Sequence, residues 1–268
     1  MSDQAAGLRA LRASGARSER PIDPAAGVIA VGSGKGGAGK SVVSVWLAAA
    51  LARAGRRVLL FDGGLTHGNL HLLLGHAPDR SLERFHAGEG PLESLPVPVA
   101  ERLWLLPAAP ASETLHTLGP VECARLHFRL TALYERFDAV VVDTGHGLES
   151  VVRAATLRAG RLVLVTLPEP AALADAYAVL KRVHEQVPTL PVDVLVNRTE
   201  GEEEGRAAFE ILRGAADRFL GRPLGWLGSL PEQPGMRARV RTPGALLDDV
   251  PAPLAGLAAT LVPEGATR

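Results

Sequence analysis

Apolar residues follow one another along this chain in two alternating textures. Short runs rich in Val and Leu, such as "GVIAV", "VLLFD", "AVVVD" and "VDVLVN", are separated by longer stretches of helical character. The runs predict strands at 28–32, 57–62, 103–106, 139–143, 161–166, 192–197 and 224–228. Strands that are apolar without alternation are buried on both faces, and their interleaving with helices predicts an α/β fold: a mostly parallel sheet flanked by helices on both faces. Between them, "SVVSVWLAAALARAG" reads as a buried helix ending at Gly55, and "AALADAYAVLKRVHEQ" as one running to Pro188. "GEEEGRAAFEILRGAADRFL" is a third, with its acids at the end where the helix dipole favours them. Residues 75–101, rich in Pro, Gly and His, read as a surface excursion, and no internal repeat is present.

At 268 residues, with 47% hydrophobic and 22% charged positions, the chain suits one large domain, expected over 25–268 after a tail of 1–24. A formal net charge of zero gives no global attraction to nucleic acid or anionic lipid, so any such binding needs a local patch. The single cysteine, Cys123, excludes an intramolecular disulfide and a Cys-based metal or iron–sulfur site within one chain. No apolar run spans a bilayer and no secretory core opens the chain, which predicts a cytoplasmic protein, at most peripheral to a membrane such as the inner membrane.

Against this background the loop "GSGKGGAGKS" stands out. The chain has only three lysines, Lys35, Lys40 and Lys181, and two of them lie here, among glycines, between a buried strand and a long helix. Gly34, Lys35, Gly36, Gly37, Ala38, Gly39, Lys40 and Ser41 satisfy G-x-x-x-x-G-K-[ST] in the strand–loop–helix setting that the motif requires. Glycines let backbone N–H groups wrap a phosphate chain, and the following helix turns its positive end toward the anion. Lys40 would neutralise the β- and γ-phosphates of ATP or the terminal phosphate of ADP, and Ser41 would ligate Mg²⁺. The bland alternative is a glycine-rich turn that merely joins strand to helix.

Two further segments end strands on the same sheet edge. "VLLFDGG" places Asp62 there, and "FDAVVVDTGHG" places Asp143, which suits a Walker B acid at the Mg²⁺ water shell followed by a glycine-flanked switch. A strand-end Asp is common in any α/β fold, so the weight lies in three phosphate-side segments arriving in the expected order.

"KGGAGKS" resembles the deviant Walker A loop of the MinD/ParA class of P-loop ATPases. That resemblance implies that Lys35 reaches across a twofold axis to the phosphates of a partner copy, so that ATP forms part of a homodimer interface. Without it, Lys35 reads as a solvated loop charge. In that class the segment after the second strand reads D-x-D, and its second Asp positions the attacking water. Gly64 stands there in this chain. Glycine neither accepts a proton nor orients water, which predicts ATP binding with slow or absent turnover, while Mg²⁺, the two lysines and backbone dipoles still favour some hydrolysis. Asn69 matches a class position near the interface, and His146 replaces a usually small switch residue.

"LPEPAALADAYAVLKRV" and "VNRTEGEEEGRAAFEIL" resemble the FlhG/FleN branch of that class, the regulators of flagellar number and placement. The resemblance implies that Asn197 reads the adenine edge, with Arg198 beside it. A polar residue ending a buried strand lies on the same edge as the phosphate loop, although a turn asparagine would look the same. The tail "SDQAAGLRALRAS" resembles the D-Q-A-x-x-L-R element through which such proteins activate a partner GTPase of the FlhF kind, with Asp3, Gln4, Leu8 and Arg9 as contacts. So short a helix is marginal alone and would order on docking, unlike a functionless leader. Flagellar assembly or transcription regulators are further expected partners.

Other features point less far. His67, His71 and His76 lack the further ligands of a metal site, and Trp46 reads as core. "APLAGLAATLVPEGATR" has only Arg268 as a basic residue, so it lacks the electrostatic half of an amphipathic anchor, which predicts weak or no membrane binding. Two competing readings are a ParA-type partitioning ATPase that binds any duplex through an arginine patch, and an inactive nucleotide-binding adaptor.

Overall fold

Among the residues described by a computed structural model of the chain, eight strands form one sheet in the order β3-β4-β2-β5-β1-β6-β7-β8. The structure describes residues 25–63, 68–77, 79, 81–86, 90–107, 120–145, 147–148, 150–152 and 159–261. The strands are β1 (Ala25–Gly32), β2 (Val58–Asp62), β3 (Val97–Ala100), β4 (Leu103–Leu106), β5 (Ala139–Asp143), β6 (Ala159–Thr166), β7 (Val192–Thr199) and β8 (Gly225–Pro231). All neighbours run parallel except β3, which pairs antiparallel with β4 at the edge. The described helices are α1 (Lys40–Arg53), α2 (Leu70–Leu73), α3 (Leu82–His86), α4 (Pro120–Tyr134), α5 (Pro170–Gln186), α6 (Glu202–Leu220), α7 (Met236–Arg241), α8 (Ala245–Asp248) and α9 (Ala252–Leu261).

Alternation along the central strands divides the core between the two faces. Ile29 and Val31 of β1 point toward α1, where Val43, Leu47 and Leu51 pack with Leu246, Leu254 and Leu261 of the last two helices. Ala30, Leu162, Leu164, Val194 and Val196 point the other way, onto Leu173, Val179 and Leu180 of α5 and Phe209 and Leu212 of α6. Val28, Leu59, Val140 and Val142 share that second face under Leu82, Phe85, Leu130 and Tyr134. Burial on both faces is why these strands read as unbroken apolar runs. In α9, Leu254 and Leu261 are thus spent on the core, while Ala252, Pro253 and Ala255 are exposed.

The helix ends follow local chemistry. Gly55 follows α1 with φ +87, a backbone angle that glycine adopts without a Cβ penalty. Pro170 opens α5 at its first turn, where its missing N–H costs nothing. Glu202, Glu203 and Glu204 occupy the first turn of α6. Residues 75–101 differ from the sequence expectation of a surface excursion. They contain α3, a single 3-10 turn at Leu92–Ser94 and β3, and they bury Leu82, Phe85, Leu92 and Leu95. The tail 1–24, with Asp3, Gln4, Leu8 and Arg9, lies outside the described residues, as do Gly64, His67 and His146.

Candidate functional site

β1, β2 and β5 end side by side, and their carboxyl ends bring the three predicted segments together. Asp62 and Asp143 are register partners at the ends of β2 and β5, each 2% exposed. Asp62 accepts a hydrogen bond from the backbone N–H of Leu70 at 3.1 Å, so one function of this carboxylate is to start α2 just after Asn69. Thr144, directly after Asp143, donates its N–H to the carbonyl of Val31 at 3.1 Å and ties the end of β5 to β1.

Between β1 and α1 the loop turns over the sheet edge. Gly39 precedes the helix with φ +88 and offers no side chain to cap it, so the first N–H groups of α1 are left facing the loop's concavity. A Cβ on Gly36 or Gly37 would meet nothing within 4 Å, which leaves that side of the loop open. The opposite side is crowded: a Cβ on Gly34 would lie 2.3 Å from the carbonyl oxygen of Asp175, and one on Gly39 would lie 2.4 Å from Nδ2 of Asn197. The loop is therefore pinned by close backbone approach to α5 and β7 and concave toward solvent. That is the geometry of an anion cradle at a helix N-terminus.

The two loop lysines are in different environments. Lys40 is buried, and its Nζ is paired with Oδ1 of Asp143 and lies 3.4 Å from Oγ of Ser41. Lys35 is half-exposed, and its Nζ donates to Oε2 of Glu169 at 2.6 Å. Sequence reading did not single out Glu169. Its position before Pro170, at the start of α5 on the same edge, was the available signal.

Asn197 is brought to the loop rather than left at its rim: its Nδ2 donates to the carbonyl of Ala38 at 2.8 Å. Arg198 follows with φ +56, where the β7–β8 register slips between Asn197 and Thr199, and it is exposed over the site. Such an angle costs a non-glycine residue about 1–2 kcal/mol, strain that the fold holds at the edge of the site. Two adjoining cavities meet there. One, of about 410 Å³, is lined by the loop from Ser33 to Val42 together with Asn69, Gly145 and Gly147. The other, of about 510 Å³, is lined by Trp46, Asn197, Glu232, Met236, Arg237 and Arg241, among others. Gly39, Val42, Arg198 and Val240 border both. Trp46 is buried as expected for core, but its Nε1 finds no partner. A glycine-lined cradle joined to a wider cavity with polar walls matches a ligand with an anionic chain on a bulkier body. Glu232, Arg237 and Arg241, from α7 and the turn before it, are lining residues that the sequence did not suggest.

A family model for the CobQ/CobB/MinD/ParA nucleotide-binding domain matches residues 29–239. The chain is 35% identical over 231 residues to the antiactivator FleN of Pseudomonas aeruginosa, covering 86% of this chain and 82% of that protein. It is 29% identical to the flagellum site-determining protein YlxH of Helicobacter pylori, covering 80% and 72% respectively. Among solved structures, the septum site-determining protein MinD of Pyrococcus horikoshii, complexed with Mg-ADP, superposes with a TM-score of 0.65 at 28% identity, covering 87% of this chain and 98% of that one.

Proposed function

Because the chain belongs to the CobQ/CobB/MinD/ParA nucleotide-binding family, we propose that it is an ATP-dependent switch of the FlhG/FleN branch that dimerises with ATP and controls flagellar number or placement through partner proteins. The observation that carries this reading is the cradle itself: Gly34 to Ser41 held open at the positive end of α1, with Lys40 and Asp143 buried behind it.

The roles follow from position. The backbone N–H groups of Gly36 to Ser41 orient a phosphate chain, and Lys40 neutralises it from below. Ser41 and Asp143 fit a Mg²⁺ ion by donor chemistry, a hydroxyl and a carboxylate on one edge, and such an ion supplies charge neutralisation for phosphoryl oxygens. Asn197 and Arg198 border the cavity that would take the adenosine moiety. Lys35 is part-exposed beside the loop, within reach of a second copy's phosphates once it leaves Glu169. With Gly64 in place of an aspartate, hydrolysis is slow, and lifetime in the dimeric state is correspondingly long.

FleN is named for antiactivation and YlxH for placing flagella, which supports transcription or assembly regulators as partners here. The tail residues Asp3, Gln4, Leu8 and Arg9 are assigned to an FlhF-like GTPase by the motif they resemble. Among the described residues no helix is long and apolar enough to cross a membrane, and the packing of Leu254 and Leu261 into the core supports weak membrane affinity at most and action in the cytoplasm.

Light-scattering mass with ADP, ATP and a non-hydrolysable analogue tests the switch. The wild type is expected to double its mass with ATP and the analogue but not with ADP. Lys35→Ala is expected to bind ATP yet stay monomeric. A mass unchanged under all three nucleotides would remove the switch.

A further inference from the structure

Lys35 is held by its own chain. We propose that Glu169 is a positioning residue for Lys35: it latches the amine in cis, and dimerisation requires that the amine leave it for a phosphate of the second copy. This rests on the function proposed above and adds to it a residue that sets the dimerisation threshold.

Both ends of the pair are anchored. Glu169 stands at the N-terminal boundary of α5, its own carbonyl accepting from the N–H of Leu173 at 3.1 Å and Pro170 fixing the turn that follows. Gly34, the neighbour of Lys35, abuts the carbonyl of Asp175 in the same helix so closely that a Cβ would stand 2.3 Å from it. The base of the Lys35 side chain and the carboxylate that receives it are thus fixed to one rigid element, and the 2.6 Å pair closes between them. Beyond Lys35 the loop is free of neighbours at Gly36 and Gly37, so the amine has open space to swing into when released.

The magnitude suits a latch. Lys35 and Glu169 side chains are 37% and 55% exposed, so water screens their attraction. Exposed pairs of this kind bias an equilibrium by about two- to fivefold. A triphosphate carries more negative charge than one carboxylate and outcompetes it, so the latch is breakable. A twofold dimer releases two latches, one per copy, so the bias on dimerisation is the square of the single value, about four- to twenty-fivefold.

Glu169→Gln keeps the size and removes the charge. Sedimentation equilibrium with a non-hydrolysable ATP analogue is expected to give a dimer dissociation constant lower than wild type by about four- to twenty-fivefold, with Glu169→Ala agreeing in direction. An equal or higher constant would overturn the proposal and would mean that the carboxylate serves the interface itself. The latch is read independently in ¹⁵N-lysine-labelled full-length protein without nucleotide, where three lysines give an uncrowded spectrum. Glu169→Gln is expected to move the side-chain signal of Lys35 and leave those of Lys40 and Lys181 in place. A Lys35 signal that stays still, in a chain that does dimerise, overturns the latch alone. A wild type that stays monomeric with the analogue overturns the proposed function together with the latch's role.

Discussion

Asn197 reaches across 159 positions of sequence to donate its side-chain N–H to the carbonyl of Ala38, at 2.8 Å and out of solvent. The contact fixes the height of the phosphate loop over the end of β7, and Gly39 lies so close to the same amide that only a hydrogen fits between them. Asn197→Ala is expected to cost about 1–3 kcal/mol of stability, because the Ala38 carbonyl loses a buried partner. Gly39→Ala is expected to cost at least as much, adding about 1–2 kcal/mol of backbone strain at φ +88 to the collision with Asn197, and to weaken nucleotide binding more than tenfold. The double variant should cost less than the two together, since removing the amide removes the collision. Urea unfolding of the four proteins checks this cycle.

The pair of Lys40 and Asp143 is buried on both sides, and removing one member strands the other's charge. Lys40→Met and Asp143→Asn are each expected to lower stability by about 3–5 kcal/mol, with the double variant recovering most of the loss. Nucleotide binding should fail in all three if Lys40 and Asp143 have the phosphate and metal roles proposed for them. If each single variant unfolds at the wild-type urea concentration, the pair contributes nothing to the fold.

What could be read in advance divides by physical cause. Strands carrying unbroken apolar runs were legible because burial on two faces leaves no other solution for Val and Leu in such numbers. β3 was not, because Val97–Ala100 is a four-residue edge strand, half-buried in alternation and containing Pro98, and an edge tolerates what a central strand does not. α4 went unnamed for a similar reason: it buries Leu130 and Leu133 yet leaves Phe128 largely exposed, which blurs its period. At the site, the loop and the two strand-end acids were legible as local motifs. Its tertiary features were not. Glu169 meets Lys35 across 134 positions, and the φ of Arg198 arises from a register slip between two strands. The local sequence shows Glu169 only as the residue before a helix-opening proline and gives no sign of its partner or of the slip, and the Asn197 contact with Ala38 adds a partner beside the adenine edge that the resemblance implies for that side chain.

Tyr134 links α4 to the underside of β2 and β5, and burial pushes its phenol well above the usual range near 10. The folded chain therefore holds that proton more tightly than the unfolded chain does. Stability from this source is intact below about pH 10 and falls as pH rises beyond it. Urea midpoints measured from pH 8 to pH 11 are expected to decline at the alkaline end in the wild type and to decline less in Tyr134→Phe. Parallel curves for the two proteins would show that other groups govern alkaline unfolding.

Position 64 is where the sequence departs from the D-x-D pattern of the class it resembles, with Gly64 in place of the second aspartate. The departure follows directly on Gly63, whose N–H donates to the carbonyl of Asp143 at 2.8 Å and so continues the pairing of β2 with β5. Position 64 is therefore attached to a residue already locked beside Asp143, and an aspartate there would start from a fixed point on the edge that carries the glycine loop. A positioned base or water-orienting group contributes about 10²- to 10⁴-fold in such reactions. Gly64→Asp is accordingly expected to raise steady-state phosphate release at least tenfold while leaving the mass with a non-hydrolysable analogue unchanged. Adding Lys35→Ala to that variant should abolish the gain, because hydrolysis then lacks the partner's amine. If Gly64→Asp dimerises normally and releases phosphate no faster than the wild type, the missing carboxylate does not set the rate.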